Sequence, residues 1–168
     1  MLKNGELLNL YKALDQLGNL SGVKFAYGVS KNISLIKPEI ELLEKALLPS
    51  NEYKKFDDER IELVKKFTKK DKDGKPVMIR DLVKGESYDI EEGKQAELDK
   101  EFEVLKKANQ KVYDLRQKQI EEYLELLKVE SQIKLHKIML SDVPKEITVR
   151  QMHGLSEIIT DEIVSPYK

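Results

Sequence analysis

The chain has 168 residues, 36% charged, 40% hydrophobic and 7% aromatic, with 30 Lys and Arg against 31 Asp and Glu for a net charge of −1. That size suits one helical domain with a real core, and the balanced charge argues against nonspecific duplex DNA binding, which draws on a surplus of cations. The absence of cysteine excludes disulfides, thiolate metal sites and a cysteine nucleophile.

Asn4 or Gly5 opens a first helix on which Leu7, Leu10, Tyr11, Leu14 and Leu17 follow helical spacing. Gly18-Asn19 supplies its stop, because both residues tolerate positive φ. Met1 to Leu17 holds no continuous apolar run, so it does not read as a signal peptide. No later window approaches the roughly 20 apolar residues of a membrane span, and a cytoplasmic protein is expected.

From Ser21 the chain restarts. Val23, Phe25, Tyr27 and Val29 alternate briefly like a strand, but Ala26, Val29, Ile33, Ile36, Ile40, Leu43 and Leu47 fit a longer helix better. Pro38 lies inside that pattern without an N–H and predicts a kink or a break there; Pro49 and Ser50 close the segment. Glu52 to Lys70 reads as a further helix on Tyr53, Phe56, Ile61, Val64 and Phe67. Asp73-Gly74 is a turn signal, and Pro76 to Ile79 followed by Glu86 to Ile90 predicts a small hairpin or flap near 76–90. A flexible hairpin or loop is expected over 72–90.

The strongest pattern follows. Between Glu91 and Val129, Leu98, Phe102, Leu105, Ala108, Val112, Leu115, Ile120, Tyr123 and Leu127 recur mostly every three or four residues, with charge on the other faces. A helix this long needs other helices or a partner protein to cover its stripe, and a core seam is expected, because an exposed stripe of that size promotes aggregation. Gln132 to Ile138 then alternates like a half-buried strand, with His136 on the polar parity. After a turn at Ser141 to Pro144, Thr148 caps a closing helix through Met152, Leu155, Ile158 and Ile159. The expected fold class is mainly α with a minor β component (α+β): long antiparallel helices, the hairpin near 76–90 and a short strand near 132–138, in a single helical domain over 1–168.

Chemical signatures are weak. Aligning Asp71, Asp73 and Gly74 to an EF-hand loop puts Lys69 at its first position and Arg80 at its twelfth, where cations repel calcium, so the cluster reads as a turn and no metal is expected. There is no GxxxxGK[ST] and no GxGxxG, and no cofactor is expected. His136 and His153 lack a second ligand at helical spacing, so a site assembled from both is the bare enzymatic alternative, and no catalytic residue is assigned. The candidate partner-binding residues are the charged run Lys54, Lys55, Asp57, Asp58, Glu59, Lys65, Lys66, Lys69 and Lys70. Acids interrupt its lysines, which dilutes the potential a phosphate backbone would feel and makes nucleic acid the weaker partner.

Two stretches carry a family resemblance: Leu2-Lys3-Asn4-Gly5-Glu6-Leu7, and Gly22-Val23-Lys24-Phe25-Ala26-Tyr27-Gly28-Val29-Ser30-Lys31-Asn32. They resemble a small bacteriophage and prophage family whose members carry an "-NGE-" start and then a "-VKxSYxxxKN-" helix. The Asp73-Gly74-Lys75-Pro76 turn, the alternating Ile133 to Ile138, Ser141-Asp142 and a closing helix near Thr148 are similar too. The family has no assigned activity, so no catalytic residue carries over. The resemblance implies a phage or prophage origin, the host cytoplasm or a virion as location, and work through protein contacts. The expected function is a non-enzymatic interaction module assisting virion assembly. The alternatives are an inhibitor of a host defence or transcription enzyme and a nucleic-acid-binding accessory protein. The expected partner is a phage structural protein or a host enzyme, with homo-oligomerisation a further option and no membrane.

Overall fold

The computed structural model describes residues 1–17, 21–81 and 85–161. The expected helix stop at Gly18-Asn19 and the Leu82 to Lys84 part of the expected hairpin lie outside them. The class is α+β and mainly α, as the periodicity predicts. The chain divides into two compact units, Met1–Leu48 with Glu121–Lys168, and Pro49–Ile120.

The first unit is built on α1 (Asn4–Asp15) and α2 (Val23–Leu47), whose apolar faces meet. Leu7, Leu10 and Leu14 on α1 and Phe25, Ile36, Ile40 and Leu43 on α2 are at most 3% exposed. Each such side chain contributes about 1.5–3 kcal/mol relative to leaving it in water. α2 runs unbroken through Pro38. Pro38 and Ser34 are both exposed, so the Ser34 carbonyl that the missing N–H would have bonded lies on the exposed side of the helix.

The start of α1 is joined to the end of α5 (Gln110–Leu126). The backbone N–H of Asn4 donates to the Val129 carbonyl at 2.9 Å, that of Gly5 to Leu127 at 2.9 Å, and the Asn4 side-chain amide to Leu126 at 3.0 Å. Donors orphaned at one helix start thus meet carbonyls at the other helix end, with opposite ends of the two dipoles adjoining. A Cβ on Gly5 would lie 3.3 Å from the Leu127 oxygen, and Glu6 closes the junction by accepting from the Lys3 N–H at 2.7 Å. The Asn4-Gly5-Glu6 motif is therefore a junction between helices.

After α5 the residues 131–137 form neither helix nor strand, and Ile133 and Leu135 among them pack on the core. Only Ile138–Met139 forms a strand, β3, pairing in parallel with β4 (Ile159–Thr160). The reason is local. Asn32 of α2, fully buried, accepts from the His136 N–H at 2.8 Å and donates to the His136 carbonyl at 2.9 Å, as a neighbouring strand would. Gly28, one turn earlier, lets Ile138 close on α2, since a Cβ there would lie 2.6 Å from Ile138 Cγ1. A short 3₁₀ turn at Leu140–Asp142 leads towards α6 (Val149–Gly154), capped by Thr148 as expected. α6 is shorter than the pattern predicts: Leu155 is its cap, and Ile158 and Ile159 pass into the approach to β4 and the strand itself.

The second unit holds α3 (Asn51–Lys66), β1 (Met78–Asp81), β2 (Gly85–Tyr88), α4 (Gln95–Ala108) and the first part of α5. Ser50 starts α3 by accepting from the Tyr53 N–H at 3.2 Å. α3 ends four residues before the expected Lys70, because Phe67 to Lys70 leaves to bond extended chain: Lys69 N–H to the Asp89 carbonyl at 2.8 Å, and Val77 N–H to Lys69 at 2.8 Å. β1 and β2 form the expected antiparallel hairpin, Met78 opposite Tyr88. The Asp71 carboxylate accepts from the N–H groups of Asp73 and Lys75, both at 2.9 Å, which is the bonding of a turn.

The long helix is two helices. Asn109 separates them with φ −113° and ψ 23°, and its side-chain amide donates to the Leu105 carbonyl at 3.1 Å. A short amide side chain competing for helix carbonyls favours a cap over a helix interior. The single stripe splits accordingly. Leu98 is buried with Leu63 and Phe67 while Phe102 and Leu105 are half-buried around them; Tyr123 and Leu127 pack on the core of the first unit. Ala108 and Leu115 of the same stripe stay exposed.

Candidate functional site

The charged run falls on three sides of α3. Phe56 and Leu63 mark its buried face, and at about 100° per residue Lys54, Asp58 and Lys65 point the opposite way. Glu59 and Lys66 lie on one shoulder beside Leu63, and Asp57 on the other. Lys69 and Lys70 are off the helix, on the extended segment. Neighbours engage several of these charges: Lys65 Nζ lies 2.6 Å from Glu62, Arg60 Nε 2.8 Å from Asp57, and Lys69 Nζ 3.0 Å from Asp89. The hydrogen bond that the Lys65 ammonium donates to the Glu62 carboxylate raises its pKa above the ordinary lysine value. Exposed pairs of this kind contribute about 0–1 kcal/mol, so the run is a solvated, locally neutralised surface.

Its shoulder, however, borders an apolar groove of about 540 Å³ between α3 and α4. Leu63, Leu105 and Ala108 form the floor with Val104, and Glu59, Glu62, Lys66 and Glu101 form the rim. Val104 is 69% exposed, a high value for a side chain with no polar atom. The structure thus gathers Glu59 and Lys66 from the sequence candidates into one feature and leaves Lys54, Lys55, Asp57, Asp58, Lys65, Lys69 and Lys70 outside its lining. The sequence candidates omit Val104 because it falls off the main stripe, one residue before Leu105. Its signal is an apolar residue off the main stripe, one helical turn before Ala108 of that stripe at i,i+4, which widens the apolar surface towards the charged side.

Beyond the groove, aromatic rings tie α3 to the start of α5. Phe56 meets Tyr53 at 5.7 Å and Tyr113 at 6.2 Å between ring centroids, and Arg116 lies 5.4 Å from the centre of the Tyr53 ring. Such contacts add about 0.5–1.5 kcal/mol each to the area they bury.

The two histidines are both in the first unit. His136 is half-buried rather than on the polar edge that strand parity predicts, because Asn32 holds its backbone and its ring meets Tyr27 edge-on at 5.9 Å. Burial, and then the nearby Lys31 ammonium, push its pKa below the ordinary imidazole value. It lines a groove of about 420 Å³ with Tyr27, Lys137 and the ion pair Lys24–Asp142 at 3.6 Å. His153 is exposed on α6 and lines a different groove, of about 730 Å³, walled by Val143, Met152 and Ile159. The two imidazoles therefore border different grooves.

Among the described residues no group of three or more His, Asp or Glu side chains is placed to hold a metal ion. Among the same residues no helix is long and apolar enough to cross a membrane. No protein-family model matches the chain, and no curated protein or solved structure matches it.

Proposed function

We propose that this chain is a non-enzymatic, phage- or prophage-encoded protein-interaction module that assists virion assembly as a head, neck or tail accessory factor. The observation that carries the reading is the open apolar groove between α3 and α4, with Val104 standing 69% exposed in it. Covering apolar surface gains about 25 cal/mol per Å², so an exposed patch inside a charged surface favours a partner. α5 supports the same view: it has 17 residues, none of them buried, and it exposes Leu115 and Leu124. Its contacts with its own chain run along a half-buried face through Tyr113, Ile120 and Tyr123, which leaves Leu115 and Leu124 open to a partner.

The resemblance supplies the phage context, and the residues that carry it have structural work. Asn4, Gly5 and Glu6 join two helices, while Gly28 and Asn32 seat the segment before β3. The test is a pull-down of the tagged chain from infected or lysogenic cells. Phage structural proteins are expected among the captured species, and capture of none of them removes the reading. The three glutamates on the groove rim favour a second reading, an inhibitor that docks on a basic channel of a host nuclease or polymerase. That version predicts binding weakened by salt, and unchanged affinity at high salt contradicts it.

A further inference from the structure

We propose that the α3–α4 groove seats a cationic amphipathic helix of the partner protein, a step that rests on the interaction-module reading above. The shape comes first. Val104, Leu105 and Ala108 follow one another along α4 at i, i+1 and i+4, so the floor is a helical ridge beside Leu63 of α3. A third helix fits against such a pair at an interaxial distance of about 8–10 Å, with its own i, i+3, i+4 and i+7 apolar row facing the floor. Ala108 is small enough to let that backbone approach. Among the described residues the cluster beneath buries Leu63, Phe67 and Leu98, with Val64, Ile90, Phe102 and Leu105 half-buried around them, and a third helix enlarges it.

Charge selects the kind of helix. Three carboxylates, Glu59, Glu62 and Glu101, face one ammonium, Lys66, around the rim. The ion pair of Glu62 with Lys65 lies in solvent, so it dilutes this field without reversing it. A helix flanking its leucine-type stripe with Lys or Arg matches this rim, as flanking charges do in helical pairs, and one flanked by Asp or Glu is repelled.

The test uses the full chain and two labelled synthetic helical peptides of about 15 residues, roughly 22 Å long. Both carry the same leucine stripe; one has lysine flanks and the other glutamate flanks. Fluorescence anisotropy is expected to show the lysine peptide binding about tenfold or more tightly than the glutamate peptide. Val104→Lys, at a solvent-facing position, is expected to weaken lysine-peptide binding about tenfold while leaving the circular dichroism spectrum unchanged. The double variant Glu59→Lys with Glu101→Lys is expected to reverse the preference between the peptides. Equal affinity for the two peptides, indifference to Val104→Lys, or a preference that does not reverse overturns the proposal. So does sedimentation as a dimer that Val104→Lys converts to monomer, because a second copy then occupies the groove. In the infected-cell pull-down, full recovery of structural proteins by Val104→Lys overturns the groove assignment and leaves the module reading standing. Recovery of none by the unaltered chain removes the module reading, and the peptide measurements still decide what the groove prefers.

Discussion

Replacing Asn32 by alanine tests the claim that one buried amide fixes the path of the chain from Ser131 into β3. Asn32 is fully buried and bonds both backbone groups of His136, accepting at 2.8 Å and donating at 2.9 Å. Alanine removes both partners. Each buried polar group left without one costs about 1–3 kcal/mol, so the pair gives about 2–6 kcal/mol. The better helix propensity of alanine returns about 0.6 kcal/mol, and water reaching the half-buried His136 trims the upper end. A net loss of about 2–4 kcal/mol remains, a large part of the roughly 5–15 kcal/mol that holds a typical domain together. Urea denaturation reads the loss, and amide exchange at His136 reads its place, since that N–H loses its acceptor. Proton NMR gives a third signature: freed from its seat, the His136 ring titrates closer to an ordinary histidine. A loss below about 1 kcal/mol with unchanged exchange at His136 refutes the reasoning.

Gly28→Ala sets helix propensity, worth up to about 1 kcal/mol in favour, against a Cβ 2.6 Å from Ile138 Cγ1. The clash wins, with a net loss of about 1–3 kcal/mol by thermal denaturation, and Ile138→Ala in the same chain shows coupling in a double-mutant cycle; additive losses contradict the contact. Asn4→Ala removes the cap on Leu126 and lowers stability by about 1–2 kcal/mol in urea, and an unchanged midpoint speaks against the α5–α1 junction. His136 has its pKa below the free value of about 6.5, so in the folded chain it stays neutral where the unfolded chain takes up a proton. Its contribution is therefore complete above about pH 6.5 and is lost as pH falls towards the folded pKa. NMR titration is expected to place its midpoint below that of a free histidine, and a midpoint above it reverses the sign.

Helices α1 to α3 were legible because apolar residues at three- and four-residue spacing mark the side that is buried: Leu7, Leu10 and Leu14, then Ile36, Ile40 and Leu43, then Phe56 and Leu63. The hairpin was legible in outline from the runs on either side of it. Three features escaped periodicity. The break at Asn109 lies in a stripe whose spacing barely changes, so only the capping chemistry of asparagine marks it. The half-buried His136 depends on Asn32, 104 residues away in sequence, and no local pattern carries that distance. The groove mixes positions of two helices, and Val104 acquires meaning only when α4 lies beside α3. Of the charged run, Glu59 and Lys66 reach the groove lining, because charge density along a sequence does not say which side of a helix meets a neighbour.

The most direct test of the central claim, that this chain acts by presenting the α3–α4 face to another protein, is site-specific photo-crosslinking in infected cells. A photoreactive amino acid replaces Val104 in one chain and Val149, 88% exposed in the other unit, in a second. The account predicts a crosslink from position 104 to a phage structural protein, through a lysine- or arginine-rich helical segment, and none to that protein from position 149. Equal crosslinking from both positions, or none from position 104, contradicts it.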